Sequence, residues 1–475
     1  MRTPPSLTDG PIGIRLLRFA LPILFAGVLQ SLSVSVNSVW IGHSLGEVAL
    51  AAASNANTVM FLLVGASFGI ALASTLLVAH HVGAQNVTAA KRVVGTSAVV
   101  FIVVSLMLTA TSLALCKPTL RALGTPEESL GPAVRYMRVI LLALPCLYVY
   151  GFAMSVLRAT GDSTTPFYFS FLTVFVDTVL NPLFIFGAGP VPRLGIAGSA
   201  LATVIAQAVG LSALIRFMYS RGSPLVLRKK DLWMLLPDWA TVGAIFRKGI
   251  PMSADLFLLS LSGVMTISLV NSFGVDTTAA FGASLQLWNY IQMPAYAVAT
   301  AVSTMAAQNV GACKWGRVTS IARLGVVQVV LMTGAVVVLI TITGPRSFGL
   351  FLPPHSLAIG IGERINYVAA PSFIAFGVAL TLFGVVRATG SVLVPLLILA
   401  VTLFAVRVPF AVLLKPCLRA DAIWWSFPIS SIVAAALAWA YYRYGGWCSA
   451  LLVHSTEDGS TGMRRSGLNK SSQLS

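Results

Sequence analysis

Twelve apolar runs alternate with short polar connectors along the chain. They occupy residues 15–42, 51–79, 92–115, 134–158, 165–187, 195–221, 247–273, 279–307, 318–342, 362–387, 392–414 and 422–443. Each meets the length of about 20 residues that a helix needs to cross a bilayer. Several exceed it, which predicts tilt or interfacial ends. The longest polar connector, 222–246, carries RKKDLW and PDWAT and falls after the sixth run. The pattern predicts an all-α polytopic membrane protein with twelve transmembrane helices. A cytoplasmic N-terminal segment (1–14) leads into a six-helix lobe (15–221). A cytoplasmic linker (222–246) and a second six-helix lobe (247–443) follow. The Ser-, Gly-, Arg- and Lys-rich tail (444–475) has the composition of a disordered cytoplasmic segment.

The two halves repeat one another. Pro22 and Pro251, Gly83 and Gly311, Arg158 and Arg387, and Pro166 and Pro395 sit in matching local sequences about 229 residues apart. Six spans is an even number, so both halves enter the membrane in the same sense. They are expected to be related by a pseudo-twofold axis along the membrane normal, with a central site, as an alternating-access carrier requires.

Composition narrows the class. Hydrophobic residues make up 57% and charged residues 9%, against about 25% charged in soluble domains. The net charge is +17, from 31 Lys plus Arg against 14 Asp plus Glu. The basic residues lie mainly between apolar runs, so they read as topology and anionic-lipid contacts rather than nucleic-acid binding. Their bias toward one side, about two to one, places both termini in the cytoplasm and the protein in the plasma (inner) membrane. Met1 to Ile14 is polar and Pro-rich, so no cleavable signal is expected. Cys116, Cys146, Cys313, Cys417 and Cys448 are widely spaced and contain no C-x-x-C pair, so neither a disulfide framework nor a zinc site is expected. H-E-x-x-H, G-x-S-x-G and paired intramembrane acids are missing from the sequence, which argues against an enzyme.

The polar residues inside the spans are the candidate chemistry. Asp177 lies at the middle of the fifth run, with Thr173 four residues before it and Asn181 four after, all on one helical face. A carboxylate at the bilayer centre costs at least about 2.5 kcal/mol, so Asp177 should face the bundle interior or a wet cavity. Asn37, Asn181 and Thr203 each fall about 7–12 Å from the outer ends of their helices at 1.5 Å per residue, with Asp177 deeper by about 6 Å. Thr203 and Gln207 form a second polar i, i+4 pair. If these faces converge, Asp177, Asn181, Thr203, Asn37 and Gln207 line one pocket for a coupling ion and substrate. The alternative for Asn37 and Thr203 is plain helix-to-helix hydrogen bonding. Asp255 is the second-lobe candidate, read either as a displaced acidic partner or as a helix-entry residue near the cytoplasmic interface. His43, His80 and His81 sit at helix ends and read as interfacial. Trp40, Tyr150, Trp288, Tyr290 and Tyr296 could stack on a cationic compound or populate interfacial belts.

Further motifs are V-x-x-x-x-G-A-x-N at Val78 to Asn86, L-R-A-T-G-D-x-x-x-P at Leu157 to Pro166 and V-L-N-P-L-F-I-F-G at Val179 to Gly187. L-G-I-A-G-S-A-L-A-T at Leu194 to Thr203 and A-Q-N-V-G-A at Ala307 to Ala312 complete the set. With these motifs and the six-plus-six repeat, the chain resembles the multidrug and toxic compound extrusion (MATE) family of antiporters over residues 15–443. The resemblance implies two lobes around a cleft. It also implies export of amphipathic or cationic small molecules driven by proton or sodium influx, with no cofactor and no nucleic acid. The expected form is a monomer surrounded by lipid. A metal site is not expected beyond a sodium ion at Asp177, Asn181 and Thr203. Family members commonly carry Asp on the first helix where this chain has Asn37. On the fifth helix they commonly show Asn and then Asp, where this chain has Asp177 and then Asn181. The carboxylate and the amide have changed places. The alternative within the same superfamily is a flippase for a lipid-linked precursor. That would call for several Arg inside the first lobe, whereas the one candidate, Arg407, belongs to the other.

Overall fold

The computed structural model describes residues 7–187, 192–353 and 356–447. Among them the chain is helical, without a strand. The spans are α1 (Ile12–Gly46), α2 (Val48–Gly83), α3 (Val87–Ala114), α4 (Glu127–Leu141 then Leu144–Ala159, bent by 45°), α5 (Thr164–Phe186) and α6 (Ile196–Ser220). They continue as α7 (Trp239–Asn271), α8 (Val275–Gly311), α9 (Trp315–Phe348), α10 (Leu357–Ala369 then Ser372–Ala388, bent by 42°), α11 (Leu393–Leu413) and α12 (Asp421–Tyr444). All but α8 are both long and apolar enough to cross a membrane, counting each bent pair as one span. α8 is less apolar, but at 37 residues it is long enough, and it covers the run at 279–307. The twelve apolar runs therefore match twelve helices. Cys448 and most of the expected tail lie outside the described residues.

Helix ends differ from the apolar limits because helices continue past the hydrocarbon. α1 begins at Ile12 and α7 at Trp239, so Pro22 and Pro251 are internal to their helices. Each removes one i to i−4 hydrogen bond from its helix. α1 and α2 are separated only by a break at Gly46 (φ +82°, ψ −179°), a conformation that glycine adopts without steric cost. Pro166 and Pro395 lie in the first turns of α5 and α11, where their missing N–H costs nothing.

The chain forms two compact units. One comprises residues 18–261, and the other Leu7–Leu17 with the chain from Ser262 onward. In the first, the connector after α6 is ordered. Lys91 pairs with Asp231 at 2.7 Å, and Gly95 on α3 leaves room for the backbone of Met234, whose carbonyl would stand 2.2 Å from a Cβ there. In the second, residues of the A-Q-N-V-G-A motif hold the N-terminal segment. Gln308 Oε1 accepts from the Leu7 N–H at 3.3 Å, and Asn309 Nδ2 donates to the Leu7 carbonyl at 3.1 Å. Lys314 pairs with Asp9 at 2.9 Å. The aromatic core of this unit stacks Trp288 among Phe281, Phe373 and Phe427.

Candidate functional site

α5 is amphipathic in the sense opposite to a soluble helix. Phe171, Phe175 and Val179 are more than half exposed on the surface available to lipid, whereas Thr173, Asp177 and Asn181 are buried. The polar i, i+4, i+8 stripe turns inward because protein offers hydrogen bonds there and lipid does not. α6 is able to approach this stripe through two glycines. A Cβ on Gly198 would stand 2.3 Å from the Phe184 carbonyl oxygen, and one on Gly210 would stand 2.3 Å from Thr173 Oγ1. Thr203 lies between these two points of close approach, and Ala202 beside it is fully buried.

Asp177 is the hub of the cluster. Asn37 Nδ2 donates to its Oδ2 at 2.7 Å and Ser33 Oγ to the same oxygen at 3.1 Å. Thr203 Oγ1 donates to Oδ1 at 3.0 Å. Asn181 Nδ2 donates in turn to Asn37 Oδ1 at 2.9 Å. Helices α1, α5 and α6 therefore meet at one carboxylate through side chains alone. Among the described residues no Lys, Arg or His pairs with Asp177, and Asn181 Oδ1 is buried without a hydrogen-bond partner. The cluster thus holds a carboxyl group and a spare acceptor oxygen. Among the described residues no group of three His, Cys, Asp or Glu side chains could hold a metal.

The structure joins four of the residues singled out from sequence: Asp177, Asn181, Thr203 and Asn37. Gln207 is buried one turn beyond Thr203 with its Oε1 unpartnered, and makes no bond to Asp177. Asp255 is not a helix-entry residue. α7 begins sixteen residues earlier at Trp239, Asp255 is buried, and it belongs to the same compact unit as Asp177. Ser33 was missed. Its position one turn before Asn37 is the signal, but serine in an apolar helix more often bonds its own backbone, as Ser35 and Ser38 do here. Among the aromatic candidates, Tyr150 is buried and accepts from Thr173 Oγ1 at 3.1 Å, and Trp288 is a core residue of its unit.

The MatE family model matches residues 22–183 and again 251–413, so the two matches begin at the paired prolines of the repeat. A probable multidrug resistance protein of Bacillus subtilis, YoeA, is 32% identical over 428 residues, covering 90% of this chain and 92% of that protein. The multidrug export protein MepA of Staphylococcus aureus is 22% identical over 90% of this chain and 93% of its own length. A solved Vibrio cholerae MATE transporter, VcmN, superposes with a TM-score of 0.84 at 23% identity, over 91% of this chain and 96% of that one. An outward-facing MATE transporter of the MOP superfamily reaches 0.86 at 19% identity, over 95% and 99%. A multi-pass helical fold, a doubly matching family model and full-length relatives together describe a transporter and not an enzyme: the chain belongs to the MATE family.

Proposed function

We propose that the protein is a secondary antiporter that exports amphipathic or cationic xenobiotics by alternating access, with Asp177 as the site that couples export to ion influx. The observation that carries this reading is the carboxylate itself: buried, met by three donors, and unaccompanied by any described basic side chain. Ionised, it offers the negative charge that holds a cationic compound. Neutralised by an incoming ion, it releases that compound. The two ligands need only favour opposite states of the carrier.

The donor set favours a proton over sodium. Asn37 turns its nitrogen, not its oxygen, toward Asp177, and a bare metal cation needs oxygens. A protonated carboxyl needs an acceptor instead. The Ser33 and Thr203 hydroxyls can rotate to accept, and Asn181 Oδ1 is uncommitted. Multidrug resistance and export names among the relatives support the substrate class. The protein acts as a monomer in the plasma membrane with both termini cytoplasmic, and Lys and Arg placement supports that orientation.

The test is ethidium efflux from proteoliposomes under an imposed proton gradient and, separately, a sodium gradient. Efflux with the proton gradient alone is expected. Efflux with sodium alone would reassign the ion, and failure under both would sink the antiporter reading.

A further inference from the structure

α11 contains a basic residue inside its span. Arg407 lies six residues before the end of the helix at Leu413, roughly 9 Å along its axis. It closes a π-helical stretch, Val401–Arg407. The wider turn has a local cause. Pro409 has no N–H to give to Ala405, and its ring crowds that carbonyl, so the helix re-registers just before it. π-turns inside α-helices recur at functional sites because they re-aim a side chain.

The side chain is held but not neutralised. Arg407 Nε donates to Ser430 Oγ on α12 at 2.9 Å, and the guanidinium lies 4.5 Å from the Phe427 ring centroid. Phe427 is fixed from behind by Trp288, 5.0 Å away between ring centroids. Among the described residues no carboxylate pairs with Arg407. Among the described residues its two terminal nitrogens carry no protein hydrogen bond, and the residue is partly exposed. A cation inside a span costs free energy unless something answers it. Here one edge of the guanidinium is tethered and one face is stacked, which leaves the two-nitrogen fork presented. That fork matches an oxyanion in two parallel bonds, which a lysine cannot do.

We propose that Arg407 is a binding site for the oxyanion, carboxylate or phosphate, of a soluble amphiphilic organic anion. Ser430 and Phe427 are positioning residues that set the plane of the fork. This site is separate from the Asp177 cluster and widens the cargo from cations to compounds bearing a negative group.

The test uses the full chain in phosphatidylcholine nanodiscs, with 1-pyrenebutyrate as the anionic probe and ethidium as the cationic one. Wild type should bind pyrenebutyrate. Arg407→Gln should weaken that binding at least tenfold and leave ethidium unchanged. Asp177→Asn should do the reverse, so failure of the ethidium arm would count against the Asp177 reading and leave this one standing. Unchanged pyrenebutyrate affinity in Arg407→Gln would overturn the proposal. If that variant is not monodisperse on size exclusion, Arg407→Lys decides. It should bind several-fold more weakly than wild type, and equal affinity would overturn fork recognition. Repeating the wild-type titration with phosphatidylglycerol in the disc separates the sources of the oxyanion. Undiminished probe binding supports a soluble anion, and displacement by the lipid overturns that assignment in favour of a headgroup phosphate.

Discussion

Asn37 and Asp177 are 140 residues apart in sequence and 2.7 Å apart in space, amide nitrogen to carboxylate oxygen. Their hydrogen bond is one of three that join α1 to α5 here: Ser33 also donates to Asp177 Oδ2, and Asn181 donates to Asn37 Oδ1. The relatives that the motifs resemble commonly place the acid on the first helix. Here the acid is on the fifth and the amide on the first, and the pair is still made. A carboxylate and an amide complement each other whichever helix supplies which.

Removing the charge tests coupling directly. Asp177→Asn should insert normally, because it deletes an intramembrane charge, yet its gradient-driven ethidium efflux should fall to that of empty vesicles. Asn181→Ala removes one neutral hydrogen bond, worth about 1 kcal/mol, and should slow efflux only several-fold. Rates are compared at equal amounts of reconstituted protein. Full pH-dependent efflux by Asp177→Asn would exclude Asp177 as the coupling site. Asp255→Asn run in parallel tests the other acid buried inside a span of this unit, and should keep most of the activity.

The Asn37 amide is expected to matter through Asp177 rather than by touching cargo. Asn37→Leu takes one donor from the carboxylate and strands Asn181 Nδ2. Loss of a hydrogen bond to a charged group costs about 1.5–3 kcal/mol, roughly ten- to a hundred-fold in the population of the ionised, cation-holding state. Ethidium affinity in nanodiscs should fall by that range, while Ser33→Ala, which removes the longer of the two bonds to the same oxygen, should cost less. Equal affinities in all three proteins would remove Asn37 from the site.

Close approach of α6 to α5 depends on Gly198. A methyl there meets a backbone carbonyl at 2.3 Å, which cannot rotate away as a side chain could. Gly198→Ala should destabilise the protein by about 1–3 kcal/mol through overpacking and lower its melting temperature. Gly131→Ala, where a Cβ would meet nothing within 4 Å, is the control and should melt like wild type. If the two variants melt alike, the packing account of α5 and α6 is wrong.

The N-terminal segment should come loose when its anchor is cut. Asn309 is fully buried and bonds the Leu7 carbonyl. Asn309→Ala is expected to raise amide hydrogen exchange across residues 7–10 by about tenfold, the equivalent of one to two lost hydrogen bonds. Unchanged exchange would mean that the Lys314–Asp9 pair and the bonds from the Arg317 guanidinium to the Asp9 and Gly10 carbonyls hold the segment by themselves.

Local physics is legible in a linear chain. Apolar length fixed the number of spans, because a helix crossing hydrocarbon needs a minimum run whatever surrounds it. The i, i+4 spacing placed Thr173, Asp177 and Asn181 on one face, because the helical repeat is intrinsic. The paired motifs around Arg158 and Arg387 marked the repeat, and both close helices whose next glycines, Gly161 and Gly390, take positive φ. Helix limits were less legible. The apolar run at 247–273 begins eight residues after the helix does at Trp239, so Asp255 was read as near the helix entry and lies sixteen residues inside α7. Only the tertiary structure decided which polar faces meet. Ser33 joined the Asp177 cluster although a lone serine carries little signal, and Gln207 stayed outside it although its spacing was right. The contacts of α1 with α5 join residues more than a hundred positions apart, and that of α6 with α5 depends on how closely backbones approach at Gly198 and Gly210; no single helix encodes either.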